Sequence, residues 1–110
     1  MKRRAIIIEG SAVSGQDKLP GAAVDAQSWK KYLTSAIGGA WEPSEIELLS
    51  NPSPSYLLSR IAAMSGDYGF VAFSGHGLVV AGTTLMCAEG GLVSEQQLIA
   101  NPCSRLTLVL

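Results

Sequence analysis

The one histidine of this 110-residue chain, His76, lies between two glycines at the end of an apolar run, in the stretch GFVAFSGHG. An imidazole titrates near neutral pH, which suits a general acid or base. Gly75 and Gly77 carry no side chains, so another backbone can approach the ring closely. The pattern indicates acid–base chemistry at a cleft. The alternative is a lone histidine that caps a strand through a structural hydrogen bond.

The only thiols of the chain are those of Cys87 and Cys103. Two cysteines with one histidine and no Cys-x-x-Cys pair lack the spacing of a zinc site, and they are too few for a disulfide framework. This favours two reduced, half-buried thiols. We therefore expect neither a metal nor a cofactor.

The segment after the first apolar run has the Gly-x-x-x-x-Gly spacing of a phosphate-binding loop, from Gly10 to Gly15. Gln16 and Asp17 follow, where that motif requires Lys and then Ser or Thr. Without the lysine no cation faces the phosphates, and Asp17 would repel them. The sequence therefore does not predict a nucleotide site.

Two periodicities predict the elements that position these residues. Apolar runs that predict strands lie around Ile6–Ile8, Ile46–Leu49, Phe70–Phe73 and Leu106–Val109, and the first, which is continuous, suits a strand covered on both faces. Helical spacing recurs at about Ala22 to Ile37, Tyr56 to Met64 and Glu95 to Ala100. Leu78 to Val93 reads as a hairpin or two small strands. The order predicts an α/β domain with a mostly parallel sheet and helices on both faces. The first two helices should pack on the sheet through Trp29, Leu33, Leu57 and Ile61. His76 should lie at the carboxyl edge of the sheet, on the same side as the Ser11–Gly21 loop.

Turn and cap residues predict where the helices begin and end. The first helix should end at Gly38-Gly39, with Ile37 still on its apolar stripe. Ser53 or Ser55 should cap the second helix, and Ser94 with Gln97 resembles a capping box for the third.

Composition excludes several function classes. The chain is 47% hydrophobic and 15% charged with a net charge of −1, so it can build a core and has no basic stripe for nucleic acid or a membrane surface. No apolar run approaches the roughly 18 residues of a membrane span, and AIIIEG is too short for a signal peptide. We expect one soluble, cytoplasmic domain.

The histidine stretch resembles the histidine strand of the caspase and metacaspase peptidases, which ends in Phe-Ser-Gly-His-Gly. RRAIIIEG and LPGAAVDAQSWKKYL are similar to that family's first strand and its Leu-x-Gly-x-x-x-Asp-Ala helix opening. IELLSNPSPSYLLSRI is similar to the second strand and helix, and SRLTLVL to the strand that runs into Asp-x-Cys. The resemblance covers nearly the whole chain. It implies a three-layer α/β/α sandwich of the caspase-haemoglobinase fold.

The resemblance also implies roles for the matched residues. His76 would be the base and then the acid of a Cys-His dyad, and the N–H of Gly77 would help hold the oxyanion. Asp25 matches an acidic residue of the S1 pocket, where a buried carboxylate would favour Arg or Lys before the cleaved bond. Asp25 could instead complement the dipole of a helix N-terminus. Ala22 stands where the family often has Cys, which would alter the shape of that pocket.

The family's nucleophile would lie about three residues past Leu110. Cys87 falls in the hairpin region, and Cys103 precedes the last strand, at the far end of a parallel sheet from the catalytic loops. We therefore expect residues 1–110 to form one caspase-like domain that is incomplete at its C-terminus and inactive alone. Its substrate would be a peptide or protein. Its partner would be the missing segment or an active homologue.

Three functions follow as alternatives. The first is a cysteine endopeptidase with a preference for Arg or Lys at the cleaved position. The second is a catalytically inactive caspase-like domain that scaffolds or binds an active partner. The third is an unrelated doubly wound α/β binding domain in which Ser-Gly-His-Gly is a coincidence. An Asp-x-Cys sequence encoded downstream of Leu110 would favour the first over the second.

Overall fold

The computed structural model describes all 110 residues and contains seven strands, three α-helices and a 3-10 helix at Pro43–Glu45. In chain order the strands and α-helices are β1 (Arg3–Gly10), α1 (Pro20–Thr34), β2 (Ile46–Ser50), α2 (Pro54–Ala62), β3 (Tyr68–Gly75), β4 (Gly77–Val80), β5 (Thr83–Ala88), β6 (Gly91–Ser94), α3 (Glu95–Ile99) and β7 (Arg105–Val109). The main sheet is parallel, in the order β2-β1-β3-β7, and the second is antiparallel, in the order β4-β5-β6. The predicted α/β class and mostly parallel sheet are confirmed.

The central strands β1 and β3 are apolar on both faces because helices cover both faces of the main sheet. Successive side chains of a strand point to opposite faces, so one run such as AIII feeds two cores. On one face, Ile7 and Phe70 pack with Ala26 and Leu33 of α1. On the other, strand residues pack with α2 and α3 through Leu57, Ile61 and Leu98. The predicted packing residues Trp29, Leu33, Leu57 and Ile61 are in these clusters, Trp29 half-buried.

The first helix is shorter than its periodicity predicts. It ends at Thr34, before Gly38-Gly39, and the side chain of Ile37 is 88% exposed. The Ser35 hydroxyl donates a 2.6 Å hydrogen bond to the Tyr32 carbonyl and accepts one of 3.2 Å from the Gly38 N–H. Such local side-chain bonds compete with further helical bonds, which ends the helix early. None of the three helices is both long and apolar enough to cross a lipid bilayer.

The predicted helix caps are present. Ser53, the first of the two candidates, caps α2 by accepting a 3.3 Å hydrogen bond from the Tyr56 N–H. Ser94 and Gln97 form the reciprocal capping box of α3, with bonds of 3.2 and 2.9 Å. These short polar signals were sufficient to place both helix starts.

The region after His76 contains three strands, one more than the largest number predicted. Ala81 and Gly82 connect β4 to β5 with positive φ angles of 51° and 79°, as in a two-residue hairpin turn of type I′. Leu78, Val79 and Val80 are consecutive apolar residues, so β4 shows no alternation of apolar and polar positions, although all four of its residues are exposed. This is why the sequence did not reveal that a strand begins directly after His76.

Candidate active site at the carboxyl edge of the sheet

The loops that follow β1 and β3 meet at one edge of the main sheet. The two strands are parallel and in register, so that Gly10 pairs with Gly75 at their carboxyl ends. The loop after β1 therefore passes beside His76, and the carbonyl oxygen of Asp17 lies 2.7 Å from His76 Nε2. The prediction that His76 and the Ser11–Gly21 loop share this edge is confirmed.

The contact with Asp17 determines which ring nitrogen of His76 carries the proton. A backbone carbonyl can only accept a hydrogen bond, so Nε2–H of the imidazole must be the donor. In the neutral ring, Nδ1 then has a free lone pair and can accept a proton. The ring is half-buried, which leaves part of it open to a reactant. The geometry thus presents His76 as a base acting through Nδ1.

Glu9, the last side-chain-bearing residue of β1, anchors the start of the loop. Its carboxylate is 5% exposed and accepts a 2.8 Å hydrogen bond from the Ser11 N–H. Burial acts to raise the pKa of Glu9. The hydrogen bonds from the Ser11 hydroxyl and N–H and from the Ser50 hydroxyl outweigh it, and the pKa lies below its ordinary value. Glu9 is therefore a buried, charged group that fixes the loop reaching His76.

Two further side chains hold the same loop from neighbouring segments. Asn51 Oδ1 accepts a 2.8 Å hydrogen bond from the Ala12 N–H. The Glu89 carboxylate accepts bonds of 2.5 Å from the Ser14 hydroxyl and 2.8 Å from its N–H, and these bonds lower the pKa of Glu89. Because the loop is tied at several points, the Asp17 carbonyl has a fixed position against the imidazole.

The backbone N–H of Gly77 lies next to the imidazole and takes no part in the antiparallel ladder. The Cys87 N–H donates a 3.0 Å bond to the His76 carbonyl, and Gly77 is opposite Met86. Hydrogen-bonded and non-hydrogen-bonded pairs alternate in such a ladder, so the N–H and C=O of Gly77 point away from β5. Gly77 is also exposed. A donor is therefore free where a developing negative charge could be stabilised.

Asp25 lies on α1 above this edge, and the expectation that its carboxylate is buried is wrong. The residue is exposed, and its Oδ2 accepts a 2.9 Å hydrogen bond from the Ser74 hydroxyl. The helix begins at Pro20, so Asp25 lies in its second turn, beyond the first turn where the helix dipole acts. The dipole explanation is therefore weak. The carboxylate is exposed because it faces an open cavity.

The cavity joins the carboxylate to the backbone beside His76. It has a volume of about 380 Å³ and is lined by Asp25, Trp29, Ser74, Gly77, Met86 and Leu110, among others. Ala22 is buried and does not line it, so the alanine does not change the shape of this cavity. A long cationic side chain that entered the cavity would find Asp25 as its counter-charge.

Neither cysteine supplies a thiol to the cavity. Cys87 is buried in β5 and is not among the lining residues. Cys103 packs against Gly69, near the start of β3, because a Cβ on that glycine would lie 2.9 Å from its Sγ. At about 3.3 Å per strand residue, Cys103 is roughly 20 Å from His76. Burial also raises the pKa of Cys103, which keeps it protonated and unreactive.

Three residues of the site were missed from the sequence. Glu9 was detectable as a lone charge at the end of a continuous apolar run, which marks a strand's carboxyl edge. Ser74 belongs to the histidine motif, but no short-range pattern predicts its hydrogen bond to Asp25, 49 residues away in the chain. Asp17 acts through its carbonyl, so its side chain carries no signal.

Fold and site together define a class: an α/β protein whose mostly parallel sheet brings an imidazole, a free N–H and a carboxylate to its carboxyl edge. No model of a known protein family matches the chain, and a search of curated proteins finds no match.

Proposed function

We propose that the chain is the histidine-bearing part of a cytoplasmic caspase-type cysteine endopeptidase with the three-layer α/β/α fold of that group, cleaving after Arg or Lys. The observation that carries the proposal is the pairing of His76 with the Asp17 carbonyl beside the free Gly77 N–H. A structural histidine would not require an unused backbone donor next to an unused ring nitrogen. Acyl transfer requires both.

The chemistry follows from the two nitrogens of His76. Nδ1 takes the proton of a thiol, and the thiolate attacks the carbonyl carbon of the peptide bond. The oxyanion that forms accepts a hydrogen bond from the Gly77 N–H. The imidazolium then gives its proton to the leaving amine, and a thioester remains. Water, deprotonated by the same Nδ1, hydrolyses the thioester. The Asp17 carbonyl keeps the ring in one tautomer and orientation throughout.

The register of the main sheet is consistent with a nucleophile supplied just after β7. β7 is parallel to β3 and pairs Val109 with Ala72. If the register continued, the third residue after Leu110 would lie opposite His76. That is the spacing at which Asp-x-Cys follows this strand in the caspase-type peptidases. A cysteine supplied at that point, in the same chain or by a partner, would lie beside His76.

Substrate preference would come from Asp25. Its carboxylate lines the cavity that reaches Gly77, and the Ser74 hydroxyl holds one of its oxygens. The guanidinium of Arg or the ammonium of Lys would bind the remaining oxygen through a charge-assisted hydrogen bond. The peptide bond after that residue would then lie over the Gly77 N–H.

The test supplies a C-terminal segment that carries Asp-x-Cys, either after Leu110 or as a co-expressed partner, and measures amidase activity on peptides with Arg or Lys at the cleaved position. We expect none from the 110-residue chain and measurable cleavage once the segment is present. His76→Ala, or Cys→Ala in the segment, should abolish it. Equal cleavage by the 110-residue chain with and without His76 would refute the dyad.

A catalytically inactive scaffold is the second candidate, favoured because neither cysteine lines the cavity. It predicts that the chain with the added segment folds and binds peptide but never cleaves it. Failure of a folded, peptide-binding, Cys-containing chain to cleave any Arg or Lys peptide would favour this reading.

A further inference from the structure

Strand β4 is an exposed sheet edge without the usual protection. It pairs with β5 on one side only. Leu78, Val79 and Val80 are 40, 68 and 51% exposed. Edges are ordinarily protected by charges, prolines or bulges, and the segment from Gly77 to Ala88 contains no charged residue and no proline. Such an edge is suited to accept another extended chain.

The hydrogen-bonding groups of this edge follow from the ladder pattern. Leu78 forms a hydrogen-bonded pair with Leu85, because the bond from the Cys87 N–H to the His76 carbonyl places the non-hydrogen-bonded pair at Gly77. The alternation continues, so the N–H and C=O of Val79 point outward together with those of Gly77. The two sets of groups are about 7 Å apart, the repeat of a β-strand.

The edge is continuous with the cavity of the candidate active site. Gly77 lines the cavity, and so does Thr84, which is opposite Val79 across the hairpin. A peptide carbonyl placed on the Gly77 N–H is therefore already at the start of the β4 edge. The leaving amine must contact His76 to receive its proton, and β4 begins at the next residue. The acyl side is directed instead into the cavity of Asp25.

We propose that the β4 edge binds the main chain of a peptide substrate on the leaving-group side of the cleaved bond, through the N–H and C=O of Val79. The bound segment is extended and adds a fourth strand to the small sheet, and the exposed Leu78, Val79 and Val80 favour apolar residues in it. This inference rests on the proposed function, because it takes the bond over Gly77 as the one that is cleaved.

The test measures binding by the 110-residue chain itself, so it requires no catalysis. Fluorescein-labelled peptides are compared by anisotropy: a tetrapeptide amide that ends in Arg, and an octapeptide that continues with four residues, two of them Val. We expect the octapeptide to bind at least tenfold more tightly. The same octapeptide with N-methylated amides after the Arg should lose this gain.

Two variants at one position separate main-chain from side-chain binding. Val79→Pro removes the outward N–H and blocks the edge. It is tolerated in the fold because that N–H makes no ladder bond, which circular dichroism and the melting temperature would verify. It should abolish the octapeptide gain, whereas Val79→Ala, which keeps the backbone edge, should reduce it no more than about threefold.

Three outcomes would overturn the inference: equal binding of the two peptides, an unaffected octapeptide gain in Val79→Pro, or a dimer in sedimentation that Val79→Pro dissolves while peptide binding is absent. The last would assign the edge to a second copy of the chain. The proposed function fails separately. If the octapeptide binds as expected but the chain with an added Asp-x-Cys never cleaves, peptide binding by the β4 edge is supported and the proposed peptidase activity is rejected.

Discussion

The two ends of the main sheet differ in whether a charged side chain beside a cavity has a partner of opposite charge. At the amino end, Arg3 forms a 2.9 Å ion pair with Glu45 and lies 4.5 Å from the centre of the Trp41 ring. The hydrogen bond to Glu45 raises the pKa of Arg3, and the same bond lowers that of Glu45. At the carboxyl end, Asp25 has only a serine hydroxyl as a partner, and Nδ1 of His76 is free.

The size of a cavity does not distinguish the two ends. A second cavity of about 380 Å³ lies at the amino end, beside β2 and α2. Its charged lining includes Glu47 and Arg60, which are joined by bonds of 2.6 and 3.0 Å. The cavity is also lined by Glu45, which pairs with Arg3, and by Arg4, which donates a 3.0 Å hydrogen bond to the Ser44 carbonyl. Both carboxylates of this cavity therefore have a cationic partner. The carboxyl-end cavity contains instead a carboxylate, that of Asp25, which has no cationic partner and could therefore bind a positively charged group of a ligand.

The sharpest test of this comparison replaces one residue at each end in a chain that has been supplied with the Asp-x-Cys segment. His76→Ala should lower kcat/KM for an Arg peptide by at least about 100-fold, because general acid–base catalysis contributes roughly 10² to 10⁴. Cys103→Ser, at the amino end, should leave kcat/KM within about twofold. A Cys103→Ser variant as inactive as His76→Ala would mean that the nucleophile is Cys103 and not the cysteine of the added segment.

Stability should depend more on the amino end of the sheet than on the carboxyl end, the reverse of the order expected for activity. Trp41 is 6% exposed and packs beneath Arg3 at the amino end, so Trp41→Ala should cost about 3–5 kcal/mol in the free energy of unfolding, measured with urea. Activity per folded molecule should be retained. Val24→Ala, on the exposed side of α1, is the matched control and should change stability by no more than about 0.5 kcal/mol. His76→Ala should resemble this control in stability.

The sequence was most informative where one physical effect dominates. The residues from Ala5 to Ile8 are buried on both faces of the sheet, and a continuous apolar run of this kind is enough to predict such a strand. A hairpin was predicted within Leu78–Val93, but the sequence did not show that its first strand, β4, begins at Gly77, because the apolar residues of β4 are all exposed and do not alternate with polar ones. Ile37 was placed on the helix because periodicity continues past Thr34. The hydrogen bonds of Ser35 that end the helix have no periodic signal.

The sequence predicted several residues of the site, but it did not predict most of the contacts between them. His76 and its loop were placed on one edge by the rule that parallel strands end together. The glycines around it also have a packing reason that the sequence did not show. A Cβ on Gly75 would lie 3.2 Å from the Gly10 Cα, and one on Gly77 would lie 3.2 Å from the Leu85 carbonyl oxygen. Long-range contacts of this kind appear only in three dimensions.

A smaller effect is expected from the unpaired carboxylate. In the chain with the Asp-x-Cys segment, Asp25→Asn keeps the shape of the side chain and removes its charge. It should reduce the preference for Arg over Gln at the cleaved position by about tenfold, the lower end for a hydrogen bond between charged groups, because the site is exposed. Glu47→Gln, in the paired cavity, should leave this preference unchanged. An unaltered preference in Asp25→Asn would remove Asp25 from the substrate site.

The smallest effect concerns Glu9, a buried carboxylate at the carboxyl end that accepts hydrogen bonds from Ser11 and Ser50. Its folded-state pKa is lower than its unfolded value of about 4.3, so its contribution to stability is complete above that pH and is lost as the pH falls through the lower, folded value. Glu9→Gln removes this titration. The difference in unfolding free energy between the two proteins should therefore be constant from about pH 6 to 8 and shrink below about pH 4.5.

Glu45→Gln, at the amino end, should show a pH dependence of the same sign, because Arg3 lowers the pKa of Glu45. If the Glu9→Gln difference instead grew with acid, the folded-state pKa of Glu9 would be raised, and burial would outweigh the hydrogen bonds of Ser11 and Ser50.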